Sequence, residues 1–189
     1  MKARIQDHRD IKPDYRRDIP AGMAIGGYTM IELLITISIV AILAGLAVPA
    51  MTRFVQNDVL ASQMNALAGS LALARSLAIT RHQSVILCAS ADQATCSSND
   101  WSDGWIVFVD ANSDLNVSSN ESIESQVAAL EGNNTLSFSA GGRVIYDARG
   151  FAPNSAGTFV LCDSRGDDSM RTMTIQRSGR ASSGGSGSC

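Results

Sequence analysis

The sequence has few of the residues that enzymes use for catalysis. Its 189 residues include two histidines, His8 and His82, and serine, histidine and aspartate show no nucleophile-elbow spacing. It lacks a glycine-rich loop of the kind that cradles phosphate, and its cysteines lack the close pairs and nearby histidines of a zinc site. No segment repeats at a fixed period. We therefore predict one globular head, without enzymatic activity, metal-thiolate centre or cofactor.

Charge is nearly absent from one long stretch near the amino terminus. Between Gly27 and Arg53, Glu32 is the only charged residue. As a helix, residues 28–48 would be about 30 Å long, which is enough to cross the hydrocarbon core of a membrane. A lone ionised carboxylate at that depth costs on the order of several kcal/mol, so it needs a partner, a proton or an interfacial position. We therefore favour a functional role for Glu32.

The first 27 residues are polar, with six basic and four acidic side chains. The positive-inside rule predicts that this leader stays cytoplasmic and that the chain after Val48 is exported. The segment from Gly45 to Ala47, with Pro49, also permits an ordinary secretory signal, cleaved after the apolar run. We favour cleavage before the run, at the glycine pair that ends with Gly27, which keeps the anchor on the mature chain. That chain has nine basic and fourteen acidic residues, a balance that does not favour nucleic acid.

All four cysteines lie in the part of the chain that is predicted to be exported. An even number of cysteines in an oxidising compartment favours disulfides over metal ligation. Three pairings are possible. We favour Cys88 with Cys96, which flank a short loop, and Cys162 with Cys189, which would tie back the end of the chain.

Beyond Pro49, apolar residues recur at spacings of three and four. They are Leu60, Met64, Leu67, Leu71, Ala74 and Ala78. This pattern predicts an amphipathic helix that extends to about Thr80. Because proline lacks one helical hydrogen bond and crowds the preceding turn, we expect a kink at Pro49 rather than a break. One long helix would then have a membrane half, 28–49, and an amphipathic half, 50–81.

Short β-rich runs follow the helix, separated by glycine, asparagine, serine and aspartate. We predict strands at 84–89, 105–110, 122–130, 135–139, 143–147, 158–163 and 171–176. One helix followed by seven strands indicates an α+β fold, with antiparallel sheets packed on the helix. The head would cover 82–181. The Ser/Gly tail, 182–189, would be mobile except where Cys189 holds it.

Three aromatic residues, Trp101, Trp105 and Phe108, permit two interpretations. They could form a ligand platform, but aromatic side chains in strands more often pack a sheet against a helix. We predict that these three belong to the core.

The segment 27–34, GYTMIELL, resembles the class III signal of type IV prepilins and type II secretion pseudopilins. The resemblance implies that prepilin peptidase cleaves after Gly27 and N-methylates Tyr28, which stands where phenylalanine is more usual. Glu32 would be the fifth mature residue, whose family counterpart pairs with the amino terminus of a neighbouring subunit during assembly. An ammonium partner would neutralise the buried charge. Pro49 falls where the family's helix kinks.

The head resembles the GspH/FimT/FimU group of minor pilins in segments 73–81, 85–88, 101–110 and 159–166. The resemblance implies a type IV pilin-like fold and a minor subunit that helps form the pilus tip complex and prime assembly. Its partners would be other minor and major pilins or pseudopilins and an inner-membrane assembly platform. A GspH-type role in type II secretion is the first alternative, and a DNA-binding minor pilin for natural transformation is the second. The chain would span the inner membrane once, with a periplasmic head, before it enters the fibre.

One loop has the spacing of a calcium-binding loop. Oxygen-bearing side chains occupy positions 1, 3, 5, 7, 9 and 12, namely Asp110, Asn112, Asp114, Asn116, Ser118 and Glu121. However, Leu115 stands at position six, where such loops have glycine. Asparagine and aspartate also cap turns in ordinary hairpin loops, so this loop is a weak candidate.

The end of the head raises a question about DNA. FimT-like members that capture DNA have a Gly-Arg-x-Arg motif near the carboxyl terminus, and this chain has Gly179 and Arg180 but Ser182 in place of the second arginine. Arg171, Arg177 and Arg180 could still contact phosphates. The alternative is that Gly179 and Arg180 close the final strand or turn.

Overall fold

The computed structural model describes residues 27–189, with only the backbone described at Pro49. The predicted leader, apart from Gly27, lies outside the described residues. The described chain divides into two compact units, with the boundary between Gly45 and Leu46. In the described part, one long helix is followed by eight strands and two short 3-10 turns, Trp101–Asp103 and Gly166–Ser169.

The helix α1 runs from Met30 to Arg81. Its last turn contains Arg81, whose positive charge is favourable near the carbonyl end of a helix. The next residue, His82, has a φ of 53°, the left-handed conformation that commonly terminates helices. The end of α1 lies one residue beyond the predicted Thr80.

The strands form two four-stranded sheets in which neighbouring strands are antiparallel. The strands are β1 (Ser84–Ala89), β2 (Trp105–Asp110), β3 (Ile123–Val127), β4 (Thr135–Phe138), β5 (Arg143–Tyr146), β6 (Gly157–Cys162), β7 (Arg171–Ile175) and β8 (Ala181–Ser183). The first sheet has the order β3-β2-β1-β5 and the second has the order β4-β6-β7-β8. The α+β prediction is confirmed, with eight strands instead of seven.

The predicted apolar stripe of the helix is confirmed as one side of the main core. All six of its residues are buried, and they share a single cluster with apolar residues of both sheets. From β1, this cluster takes Val85, Leu87 and Ala89, which alternate along the strand as expected for one face of a sheet. Burial of each large aliphatic side chain contributes about 1.5–3 kcal/mol, so the stripe holds this part of α1 on the head.

The first sheet is also covered on its other face. Ile86, Cys88, Ile106 and Phe108 form a second, smaller cluster under the loops that follow β1 and β2. Because the strands are covered on both faces, every residue of β2 is buried, without the alternation of a half-exposed strand.

The three aromatic residues belong to the core as predicted, since each of them is fully buried. The Trp101 ring meets Phe159 edge-on at 4.8 Å between centroids. The indole Nε1 of Trp105 donates a buried hydrogen bond of 3.0 Å to Ser70 Oγ on the helix. Trp105 therefore contributes both packing and a polar link between α1 and the first sheet.

The tail requires a correction. We predicted that residues 182–189 lie outside the head and are held only by Cys189, but Ser182 and Ser183 belong to β8, which pairs with β7. The pairing continues past the strand, because Gly184 donates its backbone N–H to the Thr172 carbonyl at 2.9 Å. The prediction failed because serine and glycine have low strand propensity, whereas β7 supplies an edge with free hydrogen-bonding groups.

Candidate assembly site at the start of the helix

The peptide bond between Gly27 and Tyr28 lies before the helix and outside regular secondary structure. Both residues are exposed, with 82% of Tyr28 accessible to solvent. No described atom lies within 4 Å of the position that a Gly27 Cβ would occupy. Within the described residues, both sides of this peptide bond are therefore exposed.

Thr29 and Glu32 form the start of the helix together. Thr29 Oγ1 accepts the backbone N–H of Glu32 at 3.2 Å, and the Thr29 carbonyl accepts the N–H of Leu33 at 3.1 Å. Thr29 is thus the N-cap, and Glu32 is in the third helical position, the spacing of a capping box. The unpaired N–H groups of a helix start also favour a negative charge there. The negative charge of Glu32 is therefore favourable at the start of its own helix.

The surroundings of Glu32 are apolar and exposed. From Met30 to Phe54, the large apolar side chains of the described helix are all exposed to a substantial extent. In the part of the chain that the structure describes, α1 alone is long and apolar enough to cross a membrane. Glu32 consequently presents a single carboxylate on a surface that requires lipid or other protein to cover it.

Pro49 lies within the helical assignment, which continues without interruption through it. The proline nitrogen has no hydrogen to donate to the carbonyl of Gly45. The kink remains a prediction.

The structure contains two disulfides, Cys88–Cys96 and Cys162–Cys189, which are the favoured pairs. Cys88 lies in β1 and Cys96 in the loop that follows it. The second bond joins the last residue of β6 to the end of the chain, and the Cys189 N–H also donates to an Asp167 carboxylate oxygen. The chain end is therefore held against the second sheet beyond β8.

The three candidate DNA-binding arginines are exposed, but they do not form one cluster. Arg177 and Arg180 share the turn between β7 and β8, which closes with a 3.0 Å bond from the Gln176 N–H to the Arg180 carbonyl. Arg171 begins β7, roughly 13 Å along the strand from its last residue. Gly179 has a φ of 75°, and a Cβ there would collide with the Gly150 carbonyl, so this glycine serves the turn. Dispersed arginines on an acidic chain do not favour DNA as a partner.

The structure brings together three of the calcium-loop candidates. Oxygens of Asp110, Asp114 and Glu121 all lie within 4.8 Å of one another. Asn112 Nδ2 donates to Asp114 Oδ2 and Ser118 Oγ beside them. The side chain of Asn116 instead accepts a long bond of 3.5 Å from Arg143.

Two arginines of the helix have partners that no sequence pattern indicated. Arg75 donates to the carbonyls of Gly150 and Ser178, each at 3.2 Å, and so joins the helix to two loops of the head. Arg81 pairs with Glu124 of β3 at 2.9 Å. Their partners are between 43 and 103 residues away in sequence, which is too far for a local signal.

A helix that is exposed and apolar at its start, then packed on two antiparallel sheets, defines a type IV pilin fold. A family model described as "Type II transport protein GspH" matches residues 63–179. The chain belongs to this family of minor pilins and pseudopilins. The matched residues extend from within the core stripe of α1 to the turn before β8.

A solved structure shows the same fold. The crystal structure of type IV minor pilin FimU from Pseudomonas aeruginosa PAO1 in one space group has a TM-score of 0.52 and 22% identity, over 70% of this chain and 92% of that chain. FimU in a second space group has a TM-score of 0.46 and 22% identity, over 67% and 90% of the two chains. No curated protein matches this chain significantly.

Proposed function

We propose that this protein is a minor type IV pilin that prepilin peptidase cleaves after Gly27 and N-methylates at Tyr28. The processed subunit joins other minor pilins in a complex at the pilus tip and helps to prime assembly. Glu32 guides its docking by accepting the amino-terminal ammonium group of a neighbouring subunit. Family membership supports assembly with other pilins or pseudopilins, and the finer roles constitute the proposal.

The observation that carries this proposal is the position of Glu32. It is the only charge between Gly27 and Arg53, it lies in the first turn of α1, and the helix around it is apolar and exposed. A generic membrane anchor has no need of a carboxylate there, because the charge opposes insertion. An ammonium partner offsets that cost in a low-dielectric setting.

The precursor is expected to span the inner membrane once before it enters the fibre, with its basic leader in the cytoplasm and its head in the periplasm. The charge of the leader supports this orientation. Two disulfides in the head agree with an oxidising compartment. The inner-membrane assembly platform would then extract the processed subunit into the fibre.

Service in type II secretion is the second candidate, and the description of the matched family favours it. Both machines require the same anchor chemistry. Deletion of the gene distinguishes them, since loss of surface pili with normal exoprotein secretion supports the pilin role. Lost secretion with normal pili would show that the subunit serves the secretion machine instead.

Processing is tested by replacing Gly27 with leucine, with Gly26→Leu as the matched control. Intact-mass and amino-terminal measurements on protein from membranes should find N-methylated Tyr28 in the wild type and in the control. Gly27→Leu should accumulate as the full-length precursor. A precursor that is never shortened in the wild type would overturn the cleavage proposal.

A further inference from the structure

Where β2 passes into the loop before β3, a buried carboxylate has one oxygen without a hydrogen-bond partner among the described residues. Asp110 ends β2 and is 2% exposed. Its Oδ2 accepts the Leu115 N–H at 3.3 Å, whereas its Oδ1 is buried without a hydrogen-bond partner among the described residues. Buried carboxylate oxygens without a partner are unfavourable and rare. This oxygen therefore needs a ligand.

Two further carboxylates face the same point. Asp110, Asp114 and Glu121 each place an oxygen within 4.8 Å of the others. Calcium accepts six to eight oxygen ligands in a flexible protein loop, whereas magnesium keeps several of its waters and is seldom enclosed by protein oxygens alone. Among residues 27–189, no lysine, arginine or histidine forms an ion pair with these carboxylates. A divalent cation would relieve the mutual repulsion of three close negative charges.

The backbone conformation of the loop also explains how it can form without glycine at position six. Calcium loops have glycine there because the chain turns sharply. Leu115 has a φ of 63°, so the loop makes the left-handed turn without glycine. The Leu115 N–H points back to Asp110, and Glu121 accepts the N–H groups of Ala111 and Ser118 at 2.9 and 3.0 Å. The loop thus wraps around the carboxylates with its two ends joined by Glu121.

We propose that Asp110, Asp114 and Glu121 bind one calcium ion, which fixes the β2–β3 loop of the exported head. Ser118 Oγ, which donates to Asp114 Oδ2 at 3.1 Å, is a further oxygen atom beside the three carboxylates. This proposal does not depend on the assembly role of Glu32, which lies in a different compact unit. Extracellular calcium modules bind with dissociation constants of roughly 0.1–1 mM, and we expect this range here.

The test uses the full chain in detergent micelles, stripped of metal with a chelator. Equilibrium dialysis with radioactive calcium should find one ion per chain, and calcium should raise the unfolding temperature more than magnesium at equal concentration. Asp110→Asn and Glu121→Gln should each weaken binding by about tenfold or more, because each removes one charged ligand.

The control is Asp92→Asn. Asp92 is a carboxylate in the loop after β1 that accepts hydrogen bonds from Ala94 and Thr95. This variant should bind calcium like the wild type. If Asp110→Asn does not fold, the exposed Asp114 supplies the replacement variant, Asp114→Asn. No binding up to about 10 mM calcium, or equal binding by wild type, Asp110→Asn and Glu121→Gln, would overturn the proposal.

Discussion

Replacing Glu32 with glutamine tests whether assembly needs the negative charge of this side chain. The observed helix cap uses the backbone N–H of Glu32, which donates to Thr29 Oγ1, and glutamine retains that N–H. Docking on a neighbour's ammonium group needs the negative charge. Glu32→Gln therefore keeps the observed cap and loses the charge.

The expected loss is large. An ion pair at about 4 Å in surroundings of effective dielectric near 20 contributes about 4 kcal/mol. Removal of the charge should weaken the contact between subunits roughly a thousandfold. The control, Thr29→Ala, removes the observed cap and retains the charge. It should cost about 0.5–2 kcal/mol of local helix stability and have a far smaller effect on assembly.

The assay follows each variant from precursor to fibre. Removal of the 27-residue leader is read from the mass of the membrane-bound protein, and incorporation is read by immunoblot of sheared fibres. Glu32→Gln should be processed normally but be nearly absent from fibres, whereas Thr29→Ala should be present. The opposite result, with normal incorporation of Glu32→Gln and loss of Thr29→Ala, would refute the docking argument and assign the requirement to the Thr29 cap.

Three other predictions concern the stability of the head, measured by urea unfolding of the full chain in detergent. Serine at both Cys162 and Cys189 should lower the free energy of unfolding by about 3–4 kcal/mol, since the bond closes a 27-residue separation in the unfolded chain. Ser70→Ala should lower it by about 1–3 kcal/mol, because the buried Trp105 indole N–H loses its acceptor. A hydrogen bond from Arg165 lowers the pKa of Asp163. The ionised Asp163 therefore stabilises the head above about pH 4, and this stabilisation is lost as the pH falls through the folded-state pKa. Asp163→Asn should reduce the fall in the free energy of unfolding at acid pH, which is the acid limb of the pH profile.

Each of these predictions has its own control. The Cys88–Cys96 bond closes a separation of only 8 residues, so its removal should cost less, about 2.5 kcal/mol, and a larger cost would contradict the loop-length argument. If Ser70→Ala is as stable as the wild type, the hydrogen bond to the indole contributes nothing. An unchanged acid limb in Asp163→Asn would assign the pH dependence to other carboxylates.

Local patterns predicted the elements of the head well. The stripe from Leu60 to Ala78 could be predicted because a helix repeats every 3.6 residues. Strands such as β1 and β2 could be predicted because they have dense runs of β-branched and aromatic residues. β8 was missed because Ala181 and its two serines have no such pattern. Its pairing depends on the free edge of β7, which exists only in the folded chain.

The candidate calcium-binding residues show the same limit of prediction from local sequence. Spacing identified all six positions of the loop, and the missing glycine then counted against them. Only the folded loop shows that Leu115 adopts the left-handed conformation and that Asp110 is buried with a free oxygen. The burial of Asp110 depends on the second face of the first sheet and on the loops that cover this face. These parts come together from distant parts of the sequence.

The sequence by itself determined the apolar anchor, its single carboxylate and the order of one helix followed by strands. These features depend on composition and short periodicities, which operate between residues that are close along the chain. Tertiary structure decided that β5 joins β1 and β4 joins β6, that Arg75 ties the helix to two loops, and that the tail becomes an edge strand. Those outcomes depend on the pairing of groups distant in sequence, since each buried polar group and free strand edge must find its partner in space.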